Sequence, residues 1–304
     1  MQITQHDDGQ VGAPGFYRMP EAVYHADPAP MPSLSSSIAR TMLDRSPLHA
    51  WHAHPRLNPA HEAEESTRLD LGSIAHRLVL GAGADLEIIE AEDYRTKAAK
   101  EARDAAREAG RIPCLRSQFH QVAEMAEAAR PVFHELFGGE PAVRAHAELV
   151  MIWREGPVWC RGMIDAISHD LRVRADYKTT ADAAPAVFGR RLYDAGYHFQ
   201  EAFYERGLAA LDPDGRGRRT SFVIAQEIDP PYAVSVHRVD AAGRMIAAKQ
   251  AAAAIGMWTR CIETGAWPGF PGINTPELPP WHETTWLGRE MTMEFHRPIE
   301  PLFT

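Results

Sequence analysis

The sequence predicts an α/β protein, on three observations. An N-terminal half patterned at helical spacing gives way near residue 142 to segments rich in Val, Ile, Met and Trp. The turn sequences Glu155-Gly156-Pro157 and Ser168-His169-Asp170 divide residues 142–178 into three consecutive antiparallel strands. A helix, two more strands and a long final helix follow, so both element types recur in the second half.

Residues 1–33 carry five prolines and three glycines with little periodicity and read as an irregular lead-in. In Ser33-Leu34-Ser35-Ser36-Ser37 a hydroxyl can cap a helix that turns Ile38, Met42 and Leu43 inward and ends near Ser46-Pro47. The His- and Glu-rich residues 51–66 read as loop. A second helix runs from Thr67 to about Leu80, stopped by Gly81-Ala82-Gly83, and Leu86–Ile89 reads as a short strand. Residues 94–110 are Ala-rich and densely charged, with Arg95, Lys97, Lys100, Arg103 and Arg107 partly offset by Glu101, Asp104 and Glu108. They read as a solvated helix held by charge pairs, or as a basic arm that touches a DNA backbone. A further helix starts near Arg116, with Phe119, Val122, Met125 and Ala129 at helical spacing, and Pro131 should end or kink it. After the three strands come a helix over 195–211, strands 220–228 and 232–238 joined by Asp229-Pro230-Pro231, and a helix over 240–265. The tail, 266–304, reads as irregular. The whole is expected to be one domain over 1–304, with a helical N-terminal part at 34–140 and a core at 141–265.

A chain of 304 residues with 45% hydrophobic and 24% charged residues is ordinary for a globular protein with a substantial core. No window approaches the roughly 18 uncharged apolar residues of a membrane span, and MQITQHDDGQVGAPG lacks a signal-peptide core, so no membrane partner and a cytoplasmic location are expected. The net charge of −9 disfavours a surface that grips nucleic acid all round, without excluding a local basic channel. Cys114, Cys160 and Cys261 are too few for a four-thiolate cluster and suggest no disulfide framework.

The chemistry is concentrated in Gly162-Met163-Ile164-Asp165 and Asp176-Tyr177-Lys178. Residues two apart on a strand share a face, so Asp176 and Lys178 project together, and Asp165 lies on the preceding strand of the hairpin. Two carboxylates held this way suit Mg²⁺, which takes carboxylates, waters and phosphate oxygens, and a lysine beside them can orient water or stabilise phosphoryl charge. Taken alone, Asp-x-Lys is an ordinary charged strand face. Four other residues extend the pattern: His76 in Gly72-Ser73-Ile74-Ala75-His76 on a helix, Glu148 inside an apolar strand, and Gln200 with Tyr204 on one face of the helix after the lysine.

In this order the residues resemble the RecB-like branch of the PD-(D/E)XK nuclease superfamily: Gly72-to-His76, Glu148, Gly162-to-Asp165, Asp176-Tyr177-Lys178, Gln200-to-Tyr204. The Leu34-Ser35-Ser36-Ser37 opening, with Ser46-Pro47-Leu48-His49 after it, is similar to the exodeoxyribonuclease VIII (RecE-type) phage and prophage exonucleases. The resemblance implies a central mixed β-sheet flanked by helices, a restriction-endonuclease-like core with helical N-terminal additions. It implies Mg²⁺ or Mn²⁺ held by His76, Asp165, Asp176 and the carbonyl of Tyr177, with Lys178 catalytic, Glu148 in the site, and Gln200 and Tyr204 positioning DNA. It further implies linear duplex DNA as substrate, recombination or phage DNA processing as setting, and a homo-oligomer and a single-strand annealing protein as partners. The superfamily's name-giving proline is absent here, as is common in this branch. Two alternatives stay open on the residues: a structure-specific endonuclease on the same fold, and a catalytically idle DNA-binding or assembly module. His52-Ala53-His54 and His61 lack a completed zinc set, no P-loop motif is present, and the Arg216-Gly217-Arg218-Arg219 turn is solvated or touches phosphates.

Overall fold

A long hairpin, β6 (Ala145–Glu155) and β7 (Val158–Ser168), is the spine of the sheet. The computed structural model describes residues 1–61, 67–139 and 145–292, so the first residues of the strand expected from 142, part of the His-rich loop and the end of the tail lie outside them. The described chain divides into two units, 1–269 and 270–304.

In the first unit eight strands form one mixed sheet. Its main path runs β1 (Ile3–Gln5), β2 (Gly15–Arg18), β6, β7, β8 (Val173–Thr180), β9 (Thr220–Glu227) and β10 (Val234–His237). β8 and β9 are parallel; β6–β7, β7–β8 and β9–β10 are antiparallel. β6 pairs with one edge of β7 from end to end, so β3 (Leu34–Ser35) and β8 must share the other. β3 takes Cys160 and Arg161, β8 takes Ala166 and Ile167, and residues 162–165 between them have no strand partner on that side. A separate parallel pair, β4 (Leu86–Ile89) and β5 (Ile112–Leu115), lies outside this sheet.

Helices cover both faces. On one, α2 (Ser36–Asp44), α8 (Tyr197–Leu211) and α9 (Ala241–Thr264) bury Met42, Phe203 and Trp258 with Leu149, Trp153 and Ile164 of the sheet. On the other, α4 (Thr67–Leu80) and α6 (Arg116–Phe137) bury Ile74, Met125 and Phe133 with Ala147, Ala166, Ala175 and Tyr177. A smaller cluster packs α7 (Pro185–Asp194) on Val223 and Ala225. α5 (Lys97–Glu108) starts at its Thr96 cap and carries the surface pair Lys97–Glu101 at 3.6 Å. No helix among the described residues is long and apolar enough to cross a membrane, and all three cysteines are buried.

Four local expectations are corrected. The lead-in is structured: it contains β1, β2 and α1 (Glu21–His25), and β2 pairs with β6, a contact between residues far apart in sequence that no local pattern announces. Ser46-Pro47 does not merely end a helix; Ser46 caps α3 (Pro47–His52), with Pro47 at its first position where the missing N–H costs nothing. Pro131 does not stop α6, which continues to Phe137 and ends at left-handed Gly138; buried Ala129 and Phe133 on either side hold the turn. In the second unit Pro280–Met291 forms α10, again with proline in the first turn, where an irregular tail was expected.

The lead-in is fastened by a buried polar knot. Asp27 takes the backbone N–H of Ser33 at 2.9 Å and the Ser33 hydroxyl at 2.5 Å, and faces Arg161 of β7 at 3.2 Å and His54 at 3.4 Å. Burial pushes the Asp27 carboxyl up, but His54, Arg161 and Ser33 outweigh it and hold the group below the ordinary range. A second constraint is steric: a Cβ on Gly162 would lie 2.8 Å from the Tyr204 ring, so α8 sits this close to β7 only because residue 162 has no side chain.

Asp27→Ala strands the buried Arg161 charge and should lower the unfolding free energy by about 3–5 kcal/mol in urea titrations. A depressed carboxyl pKa stabilises above the unfolded value and loses that contribution as pH falls through the folded value. The stability gap between wild type and Asp27→Asn should therefore be full above about pH 4 and shrink below it. Gly162→Ala forces the Tyr204 ring away and should cost about 1–3 kcal/mol by the same titration.

Candidate active site

The site forms where β7 and β8 part. Extending the Ala147–Ala166 and Leu149–Ile164 register places Glu148 opposite Asp165, and one step beyond Ala166–Ala175 Asp165 stands opposite Asp176. One row across three strands thus carries three carboxylates. The ladder fails along this row. Glu148 adopts a left-handed φ of 49°, and β6 changes face there: Ala147 joins the core under α4 and α6, Leu149 the core under α2, α8 and α9. β7 makes the same change between Ile164 and Ala166. Ordinary alternation would keep such residues on one face.

The Asp165 side chain fills the gap, its Oδ2 accepting the Tyr177 N–H at 2.8 Å. Tyr177 is fixed from below, its hydroxyl donating to Gln226 at 2.5 Å while Gln226 donates to the Met125 carbonyl of α6. The Tyr177 carbonyl meets His76 Nε2 of α4 at 3.0 Å, and that nitrogen lies 3.9 Å from Asp165 Oδ2. From β8, Lys178 Nζ contacts Asp176 Oδ2 at 2.9 Å and lies 3.8 Å from Asp165 Oδ2. From α8, Gln200 donates to Asp176 Oδ1 at 3.2 Å, and the buried Tyr204 hydroxyl lies near the side chain of Ser36. His76, Asp165, Asp176, Tyr177, Lys178, Gln200 and Tyr204 therefore gather around one point. Glu148 joins across the row and makes no direct bond to the others.

The Lys178 ammonium serves Asp165 and Asp176 but not Glu148, whose opposing charge is Arg77, and the imbalance shows in their acidity. Burial, then the negative charges of Glu21 and Asp165, push Glu148 up to about 7. Burial and Asp165 push Asp176 up to about 6 against the pull of Lys178. Asp165 is also penalised by burial, yet Lys178, His76 and the Tyr177 N–H hold it below the ordinary range. Burial disfavours the Lys178 ammonium, and Asp176 and Asp165 more than restore it, so it stays charged. Side-chain exposures of 12% for Asp165, 15% for Asp176 and 20% for Lys178 leave these groups within reach of solvent.

Among the described residues no three His, Cys, Asp or Glu side chains form a finished metal cage. Mg²⁺ needs none, since it keeps several waters and takes one or two carboxylates. Two aspartates, a main-chain carbonyl and an excess of desolvated negative charge fit such an ion chemically. Three further residues belong to the site and escape a sequence reading. Glu21 of α1 acts on Glu148 through charge, Ser36 lies near the Tyr204 hydroxyl, and Arg174 lies beneath Asp176 on β8. Arg174 has a sequence signal in its spacing of two from Asp176, and Ser36 lies in the Leu34-to-Ser37 opening.

Some of the other basic candidates are paired with acids. Arg219 of the Arg-rich turn is buried against Glu205 and Asp212, and along α5 Lys97 and Arg103 pair with Glu101 and Asp104.

A search of curated proteins found no match. Among solved structures, a candidate exonuclease from Eubacterium rectale superposes with a TM-score of 0.54 at 14% identity, over 81% of this chain and 91% of that one. A phage-related exonuclease from Haemophilus somnus 129PT matches at 12% identity over 63% of this chain and 95% of that one, with a TM-score of 0.29 that carries no weight. At 14% identity the first likeness speaks for the fold alone. The family model described as a PDDEXK-like domain of unknown function (DUF3799) matches residues 35–273, from the cap of α2 past the end of α9. The chain belongs to this family of PDDEXK-like domains.

Proposed function

We propose that the chain is a metal-dependent DNA exonuclease of the RecE type that hydrolyses linear duplex DNA in recombination or phage DNA processing. The observation that carries this reading is the convergence of Asp165, Asp176 and Lys178 at the parting of β7 and β8, with His76 on one side and Gln200 on the other. Membership of the PDDEXK-like family and the fold shared with the Eubacterium rectale protein support it.

Asp165, Asp176 and the Tyr177 carbonyl, with His76 beside them, would hold Mg²⁺ or Mn²⁺. When bound, the ion supplies polarisation of the scissile phosphate and a lowered pKa for the attacking water. The residues of the chain do the rest. The Tyr177 N–H fixes Asp165 Oδ2, so one carboxylate is preset before DNA arrives. Lys178, charged and near both aspartates, is placed to orient water or to meet charge building on the phosphoryl oxygens. Gln200 holds the second oxygen of Asp176 and so sets the orientation of that carboxylate. Glu148, held near neutrality in pKa, can keep or release a proton beside Asp165.

Linear and covalently closed circular duplexes, digested side by side with one strand end-labelled, test the proposal. Linear DNA should be lost with Mg²⁺ or Mn²⁺, stop being lost with EDTA and resume on re-addition, while the circle survives. Loss of the circle would favour the endonuclease reading. Asp176→Asn and Lys178→Ala should each lower the rate by at least about 10²–10³-fold, and full activity in either would overturn the site. Calorimetry that detects no divalent-ion binding would favour an idle DNA-binding module.

A further inference from the structure

Arg174 lies two residues before Asp176 and four before Lys178 on β8, so all three project from one face of the strand. It is 4% exposed and cannot touch DNA. Burying a guanidinium at this depth is costly unless its N–H groups are bonded. Nε and Nη2 donate to the Ser221 hydroxyl of β9 at 3.1 and 2.8 Å, and Nη2 also donates to the Glu201 carbonyl of α8 at 3.2 Å. Its charge centre stands 5.7 Å from the middle of the Tyr204 ring. The remaining nitrogen, Nη1, is buried without a protein partner, as is Oε2 of Glu201, and both residues line the small cavity that also borders Asp165, Asp176 and Gln200.

One side chain therefore ties together β8, β9 and α8. Its anchor on α8, the Glu201 carbonyl, is adjacent to Gln200, whose amide holds Asp176; its stacking partner is Tyr204, one turn further along. We propose that Arg174 is a positioning residue: its fork sets the distance of α8 from β8 and thereby the reach of Gln200 to Asp176. The inference rests on the nuclease reading of the site. A methionine would fill the same volume, and replacing buried charge with an apolar side chain is often neutral for stability. A fork that donates to both β9 and α8 at this depth points to geometry over bulk. Lysine keeps the charge and loses the fork, so it is no conservative replacement here.

The test measures kcat and KM on linear duplex DNA for Arg174→Met, Arg174→Lys, Ser221→Ala and the Arg174→Met/Ser221→Ala pair, each checked for folding by urea titration. Both arginine variants should lose about 10–100-fold in kcat with KM within about twofold, as expected when a group is displaced by a fraction of an ångström and no substrate contact is lost. Ser221→Ala should lose less, and the double variant should be no worse than Arg174→Met, because the two residues act as one unit. Wild-type kcat in folded Arg174→Met, or full additivity with Ser221→Ala, overturns the proposal. Should Arg174→Met not fold, Ser221→Ala decides: a fall in kcat at constant KM supports the proposal and an unchanged kcat overturns it. If the wild type hydrolyses no DNA, the nuclease reading fails separately. A crystal structure of Arg174→Lys then decides the positioning: a lengthened Gln200–Asp176 separation supports it, and an unmoved α8 overturns it.

Discussion

The unpaired edge of β7 at residues 162–165 is the constraint on which the site depends. β3 ends at Arg161 and β8 begins pairing at Ala166, so four residues of a central strand have no ladder partner on that side. Buried backbone groups must be paired, and the chain meets this with side chains. Asp165 accepts the Tyr177 N–H that a strand would otherwise have taken, and Gly162 admits the Tyr204 ring into the space. The Gly-x-x-Asp spacing is thus a description of this gap: the glycine where a helix must come close, the aspartate where a backbone donor must be met.

The same break concentrates charge. A row that brings Glu148, Asp165 and Asp176 abreast is electrostatically unfavourable in a half-buried place, and Lys178 relieves it only in part. Glu148 and Asp176 remain pushed toward protonation at about 7 and about 6. Such residual strain is common at functional sites, where folding tolerates groups that chemistry requires. The surroundings are correspondingly tied together: Tyr177 is pinned through Gln226 to α6, and Arg174 bridges β8, β9 and α8.

Elements placed by local periodicity and turn chemistry were legible. The three antiparallel strands and the helices around Gln200 and over 240–265 follow the alternation, the Gly- and Pro-containing turns and the Asp240 cap. The lead-in was not, because β2 joins the sheet through its hydrogen bonds to distant β6, and Asp27 ties the lead-in to Arg161 and His54, far from it in sequence. Pro131 misled for the opposite reason: a strong local helix breaker was overridden by burial of Ala129 and Phe133.

By itself the sequence determined which residues the proposed chemistry would use. Their identities and order are written in the chain, and the period of a strand alone puts Asp176 and Lys178 on one face. Only the tertiary structure decided how those residues meet. The change of face at Glu148, the gap in β7, the charge of Glu21 near Glu148 and the fork of Arg174 arise from contacts between segments far apart in sequence. Such contacts depend on pairing and packing of the whole sheet, for which a local pattern holds no information.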